Sequence, residues 1–389
     1  MNRRKFLTTV GGTMLAAESL SSRDASIAAT NPATLSMPPS LLDLLSLEDI
    51  EKAAERILPP ALHDYIAGGA ADELTIRRNW EKYRELLLQP KALIDVSKLD
   101  CSTNLFGQHL SLPILLAPIG NLGMAHPEKE IATARGAGLA GVTMVLSSGS
   151  NTSIEDVVRA ASQPVWFQLY VAQDRTLARD LVQRVEAAGA KALCVTVDSP
   201  TDGSRNRQNR AKLVIPRDIK YPHYVGIKEP PSLITLDLVR PAKLEWRDME
   251  WLRSLTKLPM LLKGVINPLD AEHAIKIGAD GIIVSNHGGR CLDTQPATIE
   301  ALPRIVARVQ GRVPLLVDGG IRRGTDVIKA IALGASAVLI GRPHAYGLAV
   351  GGAEGVAHTV KILRQELLLG MSLLGCPNLK AIDRSVLWD

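Results

Sequence analysis

No apolar run in this chain reaches the roughly 18 residues that a membrane-spanning helix requires, so an integral membrane segment is excluded. Cysteine is scarce as well. The four present (Cys101, Cys194, Cys291 and Cys376) lie far apart and form no Cys-x-x-Cys pair, which argues against both a zinc site and a disulfide framework. Lysine and arginine outnumber the acids only 45 to 40, and no dense basic block stands out, so a nucleic-acid partner is not indicated. The net charge of +5 reads instead as a solvated basic surface. What remains is an ordinary globular composition, 46% hydrophobic and 22% charged. At 389 residues, length alone suggests two or three domains, although α/β barrels run this long as one unit.

The first residues read separately. Asn2-Arg3-Arg4-Lys5-Phe6-Leu7, a weakly apolar run to Ala17 and small residues at Ser26-Ile27-Ala28-Ala29 resemble a twin-arginine export signal, although Glu18 shortens the apolar region. Residues 1–39 are therefore expected to be a signal and a polar linker, and 40–389 the folded domain. Leu41–Trp80 shows helical periodicity, interrupted at Pro59-Pro60 and broken at Gly68-Gly69.

From Leu112 onward short apolar runs alternate with helical stretches. The runs are Leu112–Ala117, Thr143–Leu146, Val165–Val171, Ala192–Val197, Met260–Leu262, Gly281–Val284, Pro314–Val317 and Ala337–Ile340. Thr176–Ala188, Pro268–Ile277 and Gly324–Leu333 read as helices, each closed by a glycine. Eight strands alternating with helices predict a (β/α)8 TIM barrel over about residues 110–370, preceded by a helical extension. A doubly wound open sheet is the alternative. Between Val197 and Leu261 the chain spends about sixty residues, a long insertion after strand 4 across the expected active face.

If the barrel is right, the run ends share one mouth. They carry Pro118-Ile119-Gly120, Ser147-Ser148, Gln168 with Tyr170, Thr196 with Asp198, Lys263, and Ser285 with His287 and Arg290. Asp318-Gly319-Gly320 with Arg322, and Gly341-Arg342, complete the set. Packing alone gives no reason to gather polar side chains there, so the pattern points to an enzyme. The last two clusters follow strands 7 and 8, where barrels frequently bind phosphate through backbone N–H groups and arginine. Lys263 closes an apolar run and is either a buried ion-pair member or a cation facing a ligand. His287 is a core histidine or a base suited to proton transfer near neutral pH, with Asp198 placed to orient it.

Taken together, Ser285-Asn286-His287-Gly288-Gly289-Arg290 with Asp293, Gln168-Leu169-Tyr170, Thr196-Val197-Asp198, Lys263-Gly264, Asp318-Gly319-Gly320-Ile321-Arg322-Arg323-Gly324 and Ile340-Gly341-Arg342-Pro343 closely resemble the FMN-dependent α-hydroxy acid oxidase and dehydrogenase family, which includes glycolate oxidase and lactate oxidase. The resemblance runs from about Asp49 to Ser385. It implies oxidation of an L-2-hydroxy acid to the 2-oxo acid by a protein that binds FMN. His287 is then the base, Asp198 its partner, Arg205 and Arg290 the grip on the carboxylate, and Tyr65 and Tyr170 hydrogen-bonding partners of the substrate. Lys263 would face the flavin where charge accumulates. Pro118, Ile119, Gly120, Ser147, Gln168, Thr196 and Ser285 would contact FMN, with Asp318, Gly319, Gly320, Arg322, Gly341 and Arg342 at its ribityl and phosphate end. A homotetramer is implied, and oxygen, a quinone or a soluble carrier as electron acceptor.

The chain departs from the pattern at Gly149, where glycolate oxidase carries tryptophan, at Ile66, at Cys291 and at Gly120. Gly203-Ser204-Arg205-Asn206-Arg207 is more similar to lactate oxidase, so a small aliphatic acid such as L-lactate is the expected substrate. Another phosphate-binding barrel oxidoreductase would be colourless instead of yellow, and a catalytically silent binding protein would not turn over L-lactate with a dye acceptor.

Overall fold

The structure, a computed structural model, describes residues 40–216, 218–224 and 244–388. The expected leader and linker, and residues 225–243 of the insertion, lie outside them. Three helices come first: α1 (Leu47–Ile57), α2 (Pro60–Ala67) and α3 (Leu74–Glu85). The proline pair separates α1 from α2, and Pro60 opens α2 at a position where its missing N–H has no intrahelical partner to lose.

Eight parallel strands then close a barrel: β1 (Ile114–Leu116), β2 (Met144–Ser147), β3 (Val165–Leu169), β4 (Leu193–Thr196), β5 (Met260–Lys263), β6 (Gly281–Val284), β7 (Leu315–Asp318) and β8 (Ala337–Ile340). This is the expected (β/α)8 architecture. Neighbours pair in chain order, and β8 returns to β1 through Val338 opposite Ile114. Every residue of these strands is buried, which is why they read as continuous apolar runs without alternation.

Helices α4 (Lys129–Ala140), α5 (Ile154–Ala160), α6 (Arg175–Ala187), α7 (Asn206–Ala211), α8 (Trp246–Ser254), α9 (Pro268–Lys276), α10 (Thr298–Val309), α11 (Gly324–Ala332) and α12 (Arg342–Leu373) follow. The glycines expected to end α6, α9 and α11 take left-handed φ values of 96°, 83° and 103°. The long α12 breaks at Gly351-Gly352, where the backbone leaves the helical region, and packs on α4, α1 and α11.

Two apolar layers hold the barrel. The larger lies between strands and helices. The smaller fills the interior with Leu115, Val145, Trp166, Cys194, Leu261, Ile283, Leu316 and Leu339. A hairpin, Thr103–Leu105 with Gln108–Leu110, plugs the amino-terminal end: Phe106 meets the Trp166 ring edge-on at 5.6 Å, and the indole N–H donates to Gln108 at 2.9 Å. One mouth is thereby sealed, and the other holds the polar groups.

Candidate active site

At the carboxyl ends of the strands lies a cavity of about 1410 Å³, its open mouth included. Every residue to which the resemblance gives a base, substrate or FMN contact lines it except Asp198 and Ser285, which are hydrogen-bonded to the lining groups His287 and Lys263. The loop after β6 explains that arrangement. His287, Gly288 and Gly289 run consecutively through left-handed φ values of 57°, 62° and 74°. Two glycines make the turn accessible; the histidine tolerates it, as residues at functional sites do when their surroundings enforce the conformation. Ser285 Oγ accepts the His287 backbone N–H at 3.1 Å and the Lys263 ammonium at 2.9 Å.

This turn sets the imidazole between two partners. Nδ1 lies 2.9 Å from Asp198 Oδ1, and Nε2 lies 3.4 Å from the Tyr170 hydroxyl. Burial disfavours the imidazolium, but Cys291, Tyr170 and Asp198 outweigh it, so the His287 pKa rises well above its ordinary value. Burial likewise acts against the Asp198 carboxylate, yet His287 and Lys263 leave its pKa lowered. The Lys263-Gly264 dipeptide has a steric cause: Gly264 has φ 109°, and a Cβ there would sit 2.4 Å from Asp198 Cβ.

Two motif residues turn out to brace the loop against α3. The Asn286 amide exchanges hydrogen bonds with the Asn79 amide at 2.8 and 2.9 Å. The Asp293 carboxylate accepts the N–H groups of Asp72, Leu74 and Thr75 at 3.1, 3.2 and 2.7 Å. It thus caps a helix whose own N-cap side chain, Glu73, makes no capping bond.

The cavity that His287 lines is also cationic. Arg290 Nη1 donates to the carbonyls of Tyr65 and Gly68, both at 2.8 Å, with its guanidinium 5.2 Å from the Tyr65 ring. Burial, with Arg205 and Arg342 nearby, lowers the Arg290 pKa to about 9, leaving it charged at neutral pH. Such a buried, mutually repelling cluster favours an anionic ligand. Arg205 is buried too, donating to the Arg290 carbonyl at 3.4 Å and pairing with Asp202 at 3.2 Å. Deep in the barrel, Lys263 pairs with Asp318 at 3.0 Å, and despite its burial the two aspartates Asp318 and Asp198 hold it protonated.

A carboxylate–imidazole pair, buried arginines and a lysine at a strand end thus meet at one cavity, and sequence comparison supplies the family. Residues 54–389 fit the family described as FMN-dependent dehydrogenase. The chain belongs to that family. An L-lactate oxidase of Nostoc sp. is 45% identical over 88% of this chain and 98% of its own length. A 2-hydroxyacid oxidase of Dictyostelium discoideum is 44% identical over 89% of this chain and 90% of its own. Among solved structures, a mandelate oxidase superposes with TM-score 0.80 at 38% identity, covering 87% of this chain and 98% of its own. A soluble mutant of the membrane-associated (S)-mandelate dehydrogenase of Pseudomonas putida reaches TM-score 0.83 at 36% identity, covering 89% and 99%. The protein is thus an FMN-dependent oxidoreductase of the 2-hydroxy acid oxidase and dehydrogenase family.

The cavity fits FMN. Asp318 Oδ1 is buried and has no hydrogen-bond partner among the described residues, which leaves an acceptor that a ribityl hydroxyl would satisfy. Gly319 and Gly320 have φ values of 87° and 92°, and a Cβ on Gly320 would meet the Asn79 carbonyl oxygen at 2.2 Å. Across β2, β3 and β4 the side chains form a row: Ser147 donates to Gln168 at 3.0 Å, and Gln168 to Thr196 at 2.9 Å. Arg342 and Arg322 line the same end, each with structural partners. Arg342 donates to the carbonyls of Ile66, Gly288 and Gly68, each at 3.0 Å, and Arg322 pairs with Glu51 at 2.8 Å.

Several lining residues carry no signal in the sequence. Ile76, Asn79 and Trp80 come from α3, which reads only as an extension before the barrel. Tyr221 comes from the insertion, where no periodicity or motif marks it. Asn121 directly follows Pro118-Ile119-Gly120 and was within reach of the same reasoning.

Proposed function

We propose that this flavoprotein oxidises a small aliphatic L-2-hydroxy acid, L-lactate or a close homologue, to the 2-oxo acid. The observation that carries the proposal is the Asp198–His287 pair, its Nδ1 at 2.9 Å, with the imidazole lining the same cavity as Arg290 and Arg205. With Nδ1 committed to Asp198, Nε2 is the atom that accepts a proton from the substrate. Asp198 stabilises the imidazolium that results. Arg290 and Arg205 hold the carboxylate, for which the planar guanidinium is shaped. Tyr65 and Tyr170 hydrogen-bond the substrate. Bound FMN supplies the two-electron acceptor. Lys263, held protonated, provides positive charge beside the strand ends. Ser147, Gln168, Thr196, Ser285 and the backbone at Pro118, Ile119 and Gly120 contact the cofactor, with Asp318, Gly319, Gly320, Arg322, Gly341 and Arg342 at its phosphate end.

The similarity to L-lactate oxidase supports the substrate choice. In the test, L-lactate bleaches the FMN absorbance of the purified protein anaerobically, and His287→Ala abolishes bleaching while retaining FMN. Near-normal bleaching by that variant refutes the assignment. Glycolate and (S)-mandelate in the same assay define the side-chain preference, and peroxide formation against reduction of a quinone analogue identifies the acceptor. Export through the Arg3-Arg4 leader and assembly as a homotetramer complete the proposal, to be read by cell fractionation and native mass.

A further inference from the structure

The insertion after β4 delivers a tyrosine to the substrate side of the cavity, and its fixation is unusually thorough. Lys220–Tyr224 is held along its length. The Asn151 amide donates to the Lys220 carbonyl at 3.2 Å, Arg184 to the Pro222 carbonyl at 2.8 Å, and the Ile154 N–H to His223 Nε2 at 3.0 Å. The Tyr224 hydroxyl donates to Ser148 at 3.0 Å. Tyr221 is thereby set against Asn121, and Asn121 against Tyr65.

The two distances in this chain carry direction. Tyr221 Oη lies 2.6 Å from Asn121 Oδ1, and Asn121 Nδ2 lies 3.1 Å from Tyr65 Oη. Hydroxyl-to-carbonyl bonds are short, near 2.7 Å, and N–H donors sit farther away, near 2.9 to 3.0 Å. With the amide reversed, the N–H bond would be the short one and the hydroxyl bond the long one, against both preferences. Tyr221 therefore donates to the amide oxygen, and the amide N–H donates to Tyr65. The Tyr65 oxygen is used as an acceptor, and among the described residues no group takes its proton. Asn121 itself is fixed: its backbone sits at φ 62°, a left-handed conformation asparagine tolerates, with its N–H on the Gly149 carbonyl at 3.2 Å.

We infer that Tyr221 and Asn121 are positioning residues that orient the Tyr65 hydroxyl so that its proton is presented to the substrate carboxylate beside Arg290. The inference rests on the proposed reading of Tyr65 as a substrate contact. A carboxylate only accepts hydrogen bonds, so a Tyr65 hydroxyl turned to donate into Asn121 would face it lone pair first. The relay keeps that orientation from forming. Burial raises the Tyr221 pKa, so Tyr221 remains a donor across the working pH range.

The test uses the FMN-loaded enzyme and two readouts: anaerobic flavin reduction by L-lactate, and binding of oxalate followed by the flavin spectrum. Tyr221→Phe is expected to weaken L-lactate and oxalate binding about three- to tenfold while the reduction rate at saturation changes less than about twofold. Asn121→Asp, which accepts from both hydroxyls, is expected to weaken binding more than Tyr221→Phe. In a Tyr65→Phe background, Tyr221→Phe is expected to add nothing, because the hydroxyl it orients is gone. Additive losses, or a fall in the saturated rate with binding intact, would overturn the relay. Weakened binding in Tyr65→Phe with none in Tyr221→Phe overturns the relay alone; unchanged binding in Tyr65→Phe overturns the Tyr65 assignment and the relay with it.

Discussion

Replacing Asp198 with asparagine removes one charge and leaves a side chain of the same shape beside His287. The carboxylate oxygen lies 2.9 Å from Nδ1, and both side chains are largely buried, with relative exposures of 10% and 19%. At an effective dielectric constant of about 20, a charge pair at that separation is worth roughly 6 kcal/mol. Asparagine retains a hydrogen bond to Nδ1–H, so the loss falls short of the full Coulomb energy. Breaking buried pairs typically costs about 3–5 kcal/mol. If most of that appears as the imidazolium forms, flavin reduction slows by about 10²- to 10⁴-fold. The pH dependence moves as well. His287 accepts a proton only when neutral, and its pKa is raised, so the wild-type rate climbs with pH through a limb above the ordinary histidine value. Removing the carboxylate leaves burial less opposed, which shifts that limb to lower pH. Stopped-flow bleaching by L-lactate from pH 5 to 10, with FMN content confirmed, measures both effects. A rate within tenfold of wild type and an unmoved limb would refute the role given to Asp198.

Arg290→Leu is expected to raise KM for L-lactate by about 10²-fold or more, since it removes one charge-assisted carboxylate grip worth about 3 kcal/mol; unchanged kinetics would take Arg290 out of the carboxylate site. Gly320→Ala forces a methyl to 2.2 Å from the Asn79 carbonyl at φ 92°, so lower FMN content and a destabilisation of about 1–3 kcal/mol are expected by denaturant titration. Asp293→Ala should destabilise by about 0.5–2 kcal/mol at neutral pH. Burial opposes the Asp293 carboxylate, but N–H donors from Thr75, Thr294 and Leu74 lower its pKa. Its contribution is therefore complete above the unfolded carboxyl pKa and fades as pH falls through the lowered one. Wild type and variant should converge in acid, and an equal gap at every pH would refute the cap.

The barrel was legible because its strands are buried on both faces, which writes each as an unbroken apolar run, and because helices ending in Ala-Gly-Ala or Ile-Gly-Ala carry their own punctuation. The chemistry of the strand ends was legible for the same reason: a polar group closing an apolar run stands out. Asp293 and Asn286 show where that reading stops. Both sit inside the strongest motif, yet their partners are Leu74, Thr75 and Asn79, more than 200 residues earlier in the chain. Capping and amide pairing across such a separation leave no local periodicity.

By itself, the sequence determined the eight alternating units, the polar residue at the end of nearly every strand and the glycines where the backbone turns left-handed. These follow from local sterics and from which faces must avoid water. Only the tertiary structure decided which nitrogen of His287 faces Asp198, that Arg342 and Arg322 are tied to Gly68 and Glu51, and that Tyr221 reaches Asn121 from the insertion. Those facts depend on distances between segments remote in the chain, and such distances exist only once the barrel has closed.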